Sequence, residues 1–507
     1  MATKVERGLL AVIALAALAL RLPLALGRSF WYDEAMSWKI ASYDWPTMLA
    51  KAKLDVHPPL YWALVKVQGR LFGDSALALR SLSLAQVPLQ VALMAALCRW
   101  PRPGKDDPPG RLRDAAVIGG ALVAFNPTLY MTTCEARMYA PGVTLALASA
   151  LALLALLTRA GGETRSSVAL GLLGSLFVYT HYHALFWLAS AYLFGLGYLA
   201  AVRPERVRRK LAGLGASGVA IALAFAPWAP ALRDQCAVTG ESYWLGLPSE
   251  GLNPVRYLVD FWTSPRAFIG AGEVSTEAHG ATVLAAVATL AALAWLGRRD
   301  VVQQMALALL VLPVALAALA GHLGSLPTIH GRFLQFALVF SAVGPARTLA
   351  NLPSRPLGLA IAAALATQFV YFDIAFERMV PTGIARALAE VRREARPGDL
   401  VYCNSSYVFF PTRHALRGQY PVYLTETSRR RFHCPFLIED DEVGQPGERI
   451  PAGGPTPTIW AIEAPGKGTP VRAPAGYEMV ERRTLFDFVP PYLTLARYGR
   501  RADADGR

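Results

Sequence analysis

Charge is scarce in this chain. Only 17% of its 507 residues are Asp, Glu, Lys or Arg, against ~25% in soluble domains, which argues against an ordinary soluble protein. Cysteine is sparse too: five residues, scattered, at no zinc-ligand spacing. No Gly-rich phosphate loop is present, so no nucleotide site is expected. There is no internal repeat and no low-complexity tract. The first apolar block, Leu9 to Leu26, lacks a small-residue cleavage site before Phe30-Trp31-Tyr32, and further apolar blocks follow it. It reads as an uncleaved membrane span rather than a signal peptide.

What the chain has in abundance is apolar residue, 54% of the total. It falls in blocks of roughly 20, the length a helix needs to cross ~30 Å of hydrocarbon. The blocks predict about eleven spans, near 9–26, 78–98, 115–131, 141–158, 166–180, 184–201, 211–230, 281–297, 301–320, 333–349 and 356–373. Ser166 to Ala201 has no charged residue; as one helix it would run roughly 54 Å, so it is expected to fold back at Tyr179-Thr180-His181-Tyr182-His183.

The net charge of +14 does not call for nucleic acid. Lys and Arg sit in one set of short loops, among them Arg99 to Arg113, Arg159 and Arg165, Arg203 to Lys210, Arg298 and Arg299, and Arg347 and Arg355. The positive-inside rule makes that set cytoplasmic, with the N-terminus inside and the C-terminal segment outside. Residues 1–373 are therefore expected to form a helical membrane domain, including outer loops 27–77 and 231–280. Within the first loop, Leu60 to Val65 suits an interfacial helix. Residues 374–507 read as a small extracytoplasmic α/β domain: helical spacing over 384–395, a turn at Arg396-Pro397-Gly398-Asp399, and strands near 400–403, 458–462 and 492–496. In that oxidising compartment Cys403 and Cys434 are candidates for a disulfide, and Cys98 should stay reduced.

Ionisable groups at helix ends are costly and usually functional. The predicted topology puts several on the outer face: Asp33 and Glu34, Asp55 and His57, Glu135 and Arg137, His181 and His183, then His322, His330 and Arg332. Each also has a plainer reading. Asp33 and Glu34 would suit a helix start, Asp55-Val56-His57-Pro58-Pro59 a turn. Glu135 and Arg137 would suit an ion pair, the histidines a shaped turn, and Arg332 a snorkelling side chain. Their convergence on one face favours function. Nucleotide donors are absent outside the inner membrane, so an activated donor there is lipid-linked. Arginine suits its phosphate; stabilising the leaving phosphate dominates; a carboxylate takes the acceptor proton.

Three motifs, Trp31-Tyr32-Asp33-Glu34-Ala35, Asp55-Val56-His57-Pro58-Pro59-Leu60-Tyr61 and Glu135-Ala136-Arg137-Met138-Tyr139, resemble the GT-C superfamily of membrane glycosyltransferases. The resemblance is to the bacterial branch near protein O-mannosyltransferases and lipid A aminoarabinose transferases, and covers about residues 1–370. It implies a catalytic base at Asp33 with Glu34 beside it, and donor-phosphate contacts from Arg137 and Arg332. His330-Gly331-Arg332-Phe333 matches the family's Arg-Tyr pattern only loosely. Asp55, His57, Glu135, Tyr139, His181, His183 and His330 are expected to line the substrate site. The implied reaction is inverting transfer of a sugar from a polyprenyl-phosphate donor to a lipid, glycan or protein hydroxyl. It would occur at the outer face of a bacterial inner membrane, among membrane lipids. No cofactor is required; a divalent cation is compatible with the reaction but not indicated. The competing classes are a transporter or flippase of a lipid-linked glycan, which would show midplane charges and repeated halves, and a non-catalytic membrane scaffold.

Overall fold

The computed structural model describes residues 3–102, 107–242, 258, 261–262, 300–324, 331–379, 383–425, 434–450, 457–486 and 492–501. His330, the expected span 281–297 and most of loop 231–280 lie outside them. Helices come first along the chain: α1 Lys4–Gly27, α2 Tyr32–Ser42, α3 Trp45–Leu54, α4 Leu60–Phe72, α5 Ala76–Leu84, α6 Gln86–Cys98, α7 Pro109–Ala124, α8 Pro127–Thr133, α9 Tyr139–Thr158 and α10 Glu163–Thr180. There follow α11 Ala184–Val202, α12 Val207–Phe225, α13 Ala229–Ser242, α14 Val301–Gly324, α15 Gly331–Leu338, α16 Val343–Ala350, α17 Arg355–Met379, α18 Gly383–Glu394 and α19 Ser406–Leu416. Strand β1 Leu400–Cys403 lies between α18 and α19, and strands β2 Val422–Leu424, β3 Ile459–Glu463, β4 Tyr477–Phe486 and β5 Tyr492–Arg500 follow α19.

Among the described residues, eight helical stretches are long and apolar enough to cross a membrane, or nine counting the bent pair α7–α8 as one. The protein is thus a polytopic helical membrane protein. The expected straight span 115–131 is instead bent by 60°. Asn126-Pro127 is the cause: proline pushes the preceding residue out of helical geometry and suits the first turn of a new helix. The Asn126 side chain then caps α8, accepting from the Leu129 N–H at 3.0 Å. The stretch 166–180 lies in α10, whose polar first turn, Glu163-Thr164-Arg165, keeps it out of the eight.

The chain divides into two compact units that do not follow chain order. One comprises Met1–Pro23, Val56–Tyr61 and Arg80–Phe376; the other comprises Leu24–Asp55, Trp62–Leu79 and Glu377–Arg507. Most of the loop 27–77 therefore groups with the C-terminal segment.

In the first unit α9 is central, packing against α6, α10, α11, α12 and α15. Small residues allow close approach between membrane helices. A Cβ on Gly142 would sit 2.4 Å from Cε1 of Phe336, so α15 reaches α9 only because that position is glycine. At the end of the bundle carrying the basic loops, charges are paired and used as caps. Arg347 bonds Asp300 at 2.8 Å and donates to the carbonyls of Cys98 and Trp100, each at 2.8 Å, closing the C-terminus of α6. Lys210 donates to Leu156 and Arg159 carbonyls at the end of α9. These are orphan carbonyls of helix ends, satisfied from a neighbouring helix.

In the second unit a five-stranded sheet runs β2-β1-β3-β5-β4. β1 pairs in parallel with β2 and β3, while β5 is antiparallel to β3 and β4. Every residue of β1 and β3 is buried, as apolar runs such as Leu400-Val401-Tyr402-Cys403 require. The sequence anticipated β1, β3, β5 and α18, but not the short β2 or the mostly exposed β4. Helix α2, from the loop 27–77, packs on α19. Lys39 of α2 bonds Glu442 at 2.8 Å, Tyr43 donates to Glu439 at 2.5 Å, and Lys66 closes the end of α2 through the Ala41 carbonyl at 3.2 Å. The expected disulfide is absent. Cys403 and Cys434 are both thiols: the Cys434 sulfur lies 3.6 Å from Met36 Sδ, and burial pushes the Cys403 thiol up to about 12.

His414 of α19 fastens this unit. Its ring lies 4.3 Å from Phe30 and 5.0 Å from Trp38, and its Nε2 is 2.8 Å from the Asp74 carbonyl oxygen. Burial lowers it from 6.5 to about 4. A lowered histidine leaves the folded state binding fewer protons than the unfolded chain below pH 6.5. The stability present above that pH is therefore lost as pH falls toward 4, by about 3 kcal/mol in total.

Two outcomes are expected. Arg347→Met should lower the melting temperature of the detergent-solubilised protein, because it strands Asp300 and two carbonyls; truncating one buried partner costs about 3–5 kcal/mol. Adding Asp300→Leu should recover part of the loss, and no recovery would remove the pairing argument. Between pH 7 and 5 the wild-type melting temperature should fall further than that of His414→Gln. Parallel curves would show that His414 does not carry this dependence.

Candidate functional site

Within the first unit, nominated residues of two of the motifs meet those of the 181–183 turn. The chain leaves α8 at Cys134, turns through Glu135-Ala136-Arg137-Met138, and enters α9 at Tyr139. A second turn, His181-Tyr182-His183, joins α10 to α11. His57 comes from the short segment 56–61, and Arg332 and Phe333 open α15. His181 sits at their centre. Its ring centroid lies 5.5 Å from His57, 6.0 Å from Tyr139, 5.1 Å from His183, 5.3 Å from Phe333 and 5.1 Å from Phe336. Arg137 places its guanidinium 5.9 Å from the Tyr139 ring centre, a cation–π arrangement. Glu135 is wholly buried, and Arg137, Arg332, His57 and His181 are each under 9% exposed. His57, Arg137, Tyr139, His181, His183, Phe333 and Phe336 thus form one enclosed, aromatic-walled cluster.

Both turns are held from outside. Tyr182 donates to Gln235 at 2.5 Å and accepts from Trp228 Nε1 at 2.8 Å. Gln335 Nε2 donates to the Arg332 carbonyl at 2.7 Å, while its Oε1 accepts from Thr132 at 3.0 Å; this links α15 to α8. Below the first turn lies a group the sequence reading passed over. Arg21, 1% exposed inside α1, donates from Nε to Thr133 Oγ1 at 2.6 Å and from Nη1 to the Ala17 carbonyl at 2.9 Å. Its carbonyl accepts from Cys134 Sγ at 3.7 Å, and Tyr130 donates to the Leu20 carbonyl at 3.3 Å. Asp373 of α17 is fully buried and acts on Arg21 electrostatically. Opposite charges inside two apolar blocks, at 21 and 373, were the available signal.

Burial pushes His181 well below its usual value, and the neighbouring His183, His57 and Arg137 act in the same direction. The ring is therefore neutral at physiological pH. Its Nδ1 accepts the His183 backbone N–H at 3.2 Å, so the proton of the neutral ring belongs on Nε2.

The carboxylates nominated in the first outer loop lie in the second unit, apart from Asp55, which ends α3 at the unit boundary. Asp33 and Glu34 occupy the first turn of α2, where a helix favours negative charge. Glu34 is wholly buried, bonded to Arg28 at 3.3 Å and accepting the Trp31 N–H at 3.4 Å, so it orders the helix start. Asp33 remains half-buried and acts on two phenols, Tyr32 and Tyr407, whose rings are 4.8 Å apart. Burial first, and the Asp33 charge after it, raise the Tyr407 hydroxyl. Tyr407 was not anticipated. Asp55 is buried.

Among the described residues one trio has metal-ligand spacing, Glu390, Glu394 and Glu481. Its carboxylates already face Arg483 at 3.2 Å and Arg497 at 3.1 Å.

No protein-family model matches the chain, and no curated protein sequence does. Solved structures do. A crystal structure of ArnT from Cupriavidus metallidurans bound to undecaprenyl phosphate matches with a TM-score of 0.62 at 13% identity, covering 98% of each chain. The apo form of the same protein matches with a TM-score of 0.58 at 13% identity, covering 97% of this chain and 98% of that one. The chain has the fold of that protein over nearly its whole length.

Proposed function

We propose that this protein transfers a sugar from a polyprenyl-phosphate carrier to an acceptor hydroxyl on a lipid, glycan or protein. The observation that carries the reading is the shared fold, end to end, with a transferase holding undecaprenyl phosphate. The enclosed cluster around Arg137 supports it, because a buried guanidinium beside aromatic rings is suited to a phosphate and poorly suited to a bare structural turn. The basic-loop asymmetry supports an orientation with the N-terminus in the cytoplasm and residues 374–507 outside a bacterial inner membrane.

Arg137 holds the donor phosphate, with Arg332 as a second cation. Asp33 takes the acceptor proton as the acceptor oxygen bonds to the anomeric carbon. The bond from that carbon to the phosphate oxygen breaks, and its electrons leave on the phosphate. Attack opposite the leaving group inverts the anomeric centre. Arginine acts on charge that grows during the reaction, so it lowers the barrier rather than only binding the ground state. Glu34 keeps the first turn of α2 in place and does not take the proton. His57, Glu135, Tyr139, His181 and His183, all of the first unit, help to hold the donor.

The purified protein should be assayed with a panel of polyprenyl-phosphate sugars and lipid and protein acceptors. Asp33→Asn should cut turnover by about 10²–10⁴-fold while donor binding holds. Arg137→Lys keeps the charge but loses the fork, and should weaken donor binding about tenfold. Normal turnover in Asp33→Asn with dead Glu34→Gln or Asp55→Asn would move the base elsewhere. Unchanged donor binding in both Arg137→Lys and Arg137→Ala would remove Arg137 from the phosphate.

A further inference from the structure

His181 is buried at the centre of the cluster, and all of its hydrogen-bonding capacity but one atom is accounted for. Its backbone N–H donates to the Phe177 carbonyl at 3.0 Å, and its carbonyl accepts from Ala184 at 3.0 Å. Nδ1 accepts from the His183 N–H at 3.2 Å. Nε2 is buried and has no hydrogen-bond partner among the described residues. Buried polar atoms are rarely left this way, and one that is calls for a missing partner. The ring is 3% exposed, and rings of His57, Tyr139, His183, Phe333 and Phe336 surround it.

We infer that His181 binds the donor through its Nε2–H, as a neutral hydrogen-bond donor to a phosphate oxygen of the polyprenyl phosphate. The inference rests on the function proposed above and names a second contact to the same group. Three features support it. The Nδ1 contact fixes the tautomer, so Nε2 offers a proton rather than a lone pair. The groups facing the ring are His57, His183, Tyr139 and Arg137; burial first, then the charges of His183, His57 and Arg137, keeps the imidazole neutral, and the positive field of Arg137 attracts an anion. Finally, a neutral donor adds direction to the arginine contacts without adding a further full charge, which favours release of the product phosphate after transfer.

The alternative is a turn-forming histidine whose only task is to receive the His183 N–H. Two isosteres separate these roles, because Asn places its polar atoms near the Nδ1 position and Gln places its amide near Nε2. Binding of undecaprenyl phosphate and of undecaprenol, which lacks the phosphate, should be measured by ligand-induced shift of the melting temperature. The set is wild type, His181→Gln, His181→Asn, His181→Phe and Arg137→Ala, each with its unliganded melt as a folding control. His181→Gln should bind undecaprenyl phosphate within about threefold of wild type, while His181→Asn and His181→Phe should bind it about tenfold or more weakly, as expected for one hydrogen bond to a charged group. Undecaprenol binding should be alike in all. The inference is overturned if Asn preserves binding and Gln does not, if all three His181 variants bind as wild type, or if undecaprenol binding falls in step. If Arg137→Ala alone loses the phosphate-dependent part, the function stands and the role of His181 falls. If wild type does not distinguish the two lipids, the proposed donor class is wrong and the inference goes with it.

Discussion

A charge carried inside an apolar helix bundle has to bring its partner with it. Water is unavailable to solvate it, and an unmatched guanidinium or carboxylate there costs several kcal/mol. Much of this structure follows from that demand. Arg21 reaches from α1 to Thr133, Arg347 from α16 to Asp300 and two carbonyls, and Lys210 to the end of α9. Each contact satisfies a buried charge and fixes one helix against another. The Arg21 contact has the further effect of holding the last turn of α8, from which the Glu135–Arg137 turn departs.

The same physics explains the character of the candidate site. Aromatic rings from α9 and α15 and histidines from two segments enclose the cationic turn and leave little room for water. In such surroundings a guanidinium interacts with an anion more strongly than it would at a surface. The low dielectric also drives His181 to its neutral form. Close packing is the means. Phe336 can lie against both α9 and His181 because Gly142 offers it no Cβ.

The second unit is built on a different principle, that of a small covered sheet. Its buried strands have the apolar runs that a sheet covered on both faces requires. What it receives from the loop 27–77 is helix α2, joined through His414, Glu442 and Glu439. Asp33 is consequently presented from an ordered helix start beside Tyr32 and Tyr407, and not from a loose loop.

Apolar block length predicted most of the spans among the described residues, because crossing hydrocarbon is a local requirement, met residue by residue. It failed at 115–131, where Asn126-Pro127 breaks the helix, although the proline was visible. The motifs around Asp33, Arg137 and His181 were legible because ionisable residues at helix ends stand out against apolar neighbours. Arg21 and Asp373 were not read, since single charges do little to the average of a 20-residue block. Cys403 and Cys434 shared a compartment, which says nothing of whether their sulfurs meet. From sequence alone came the membrane class, the span positions and the set of candidate polar groups, all consequences of local composition. Tertiary structure alone decided that His57, Arg137, Tyr139, His181 and Phe333 form one cluster, and that the first outer loop belongs with the C-terminal sheet. Those are pairings between segments up to hundreds of residues apart, and they depend on shape complementarity that no local pattern encodes.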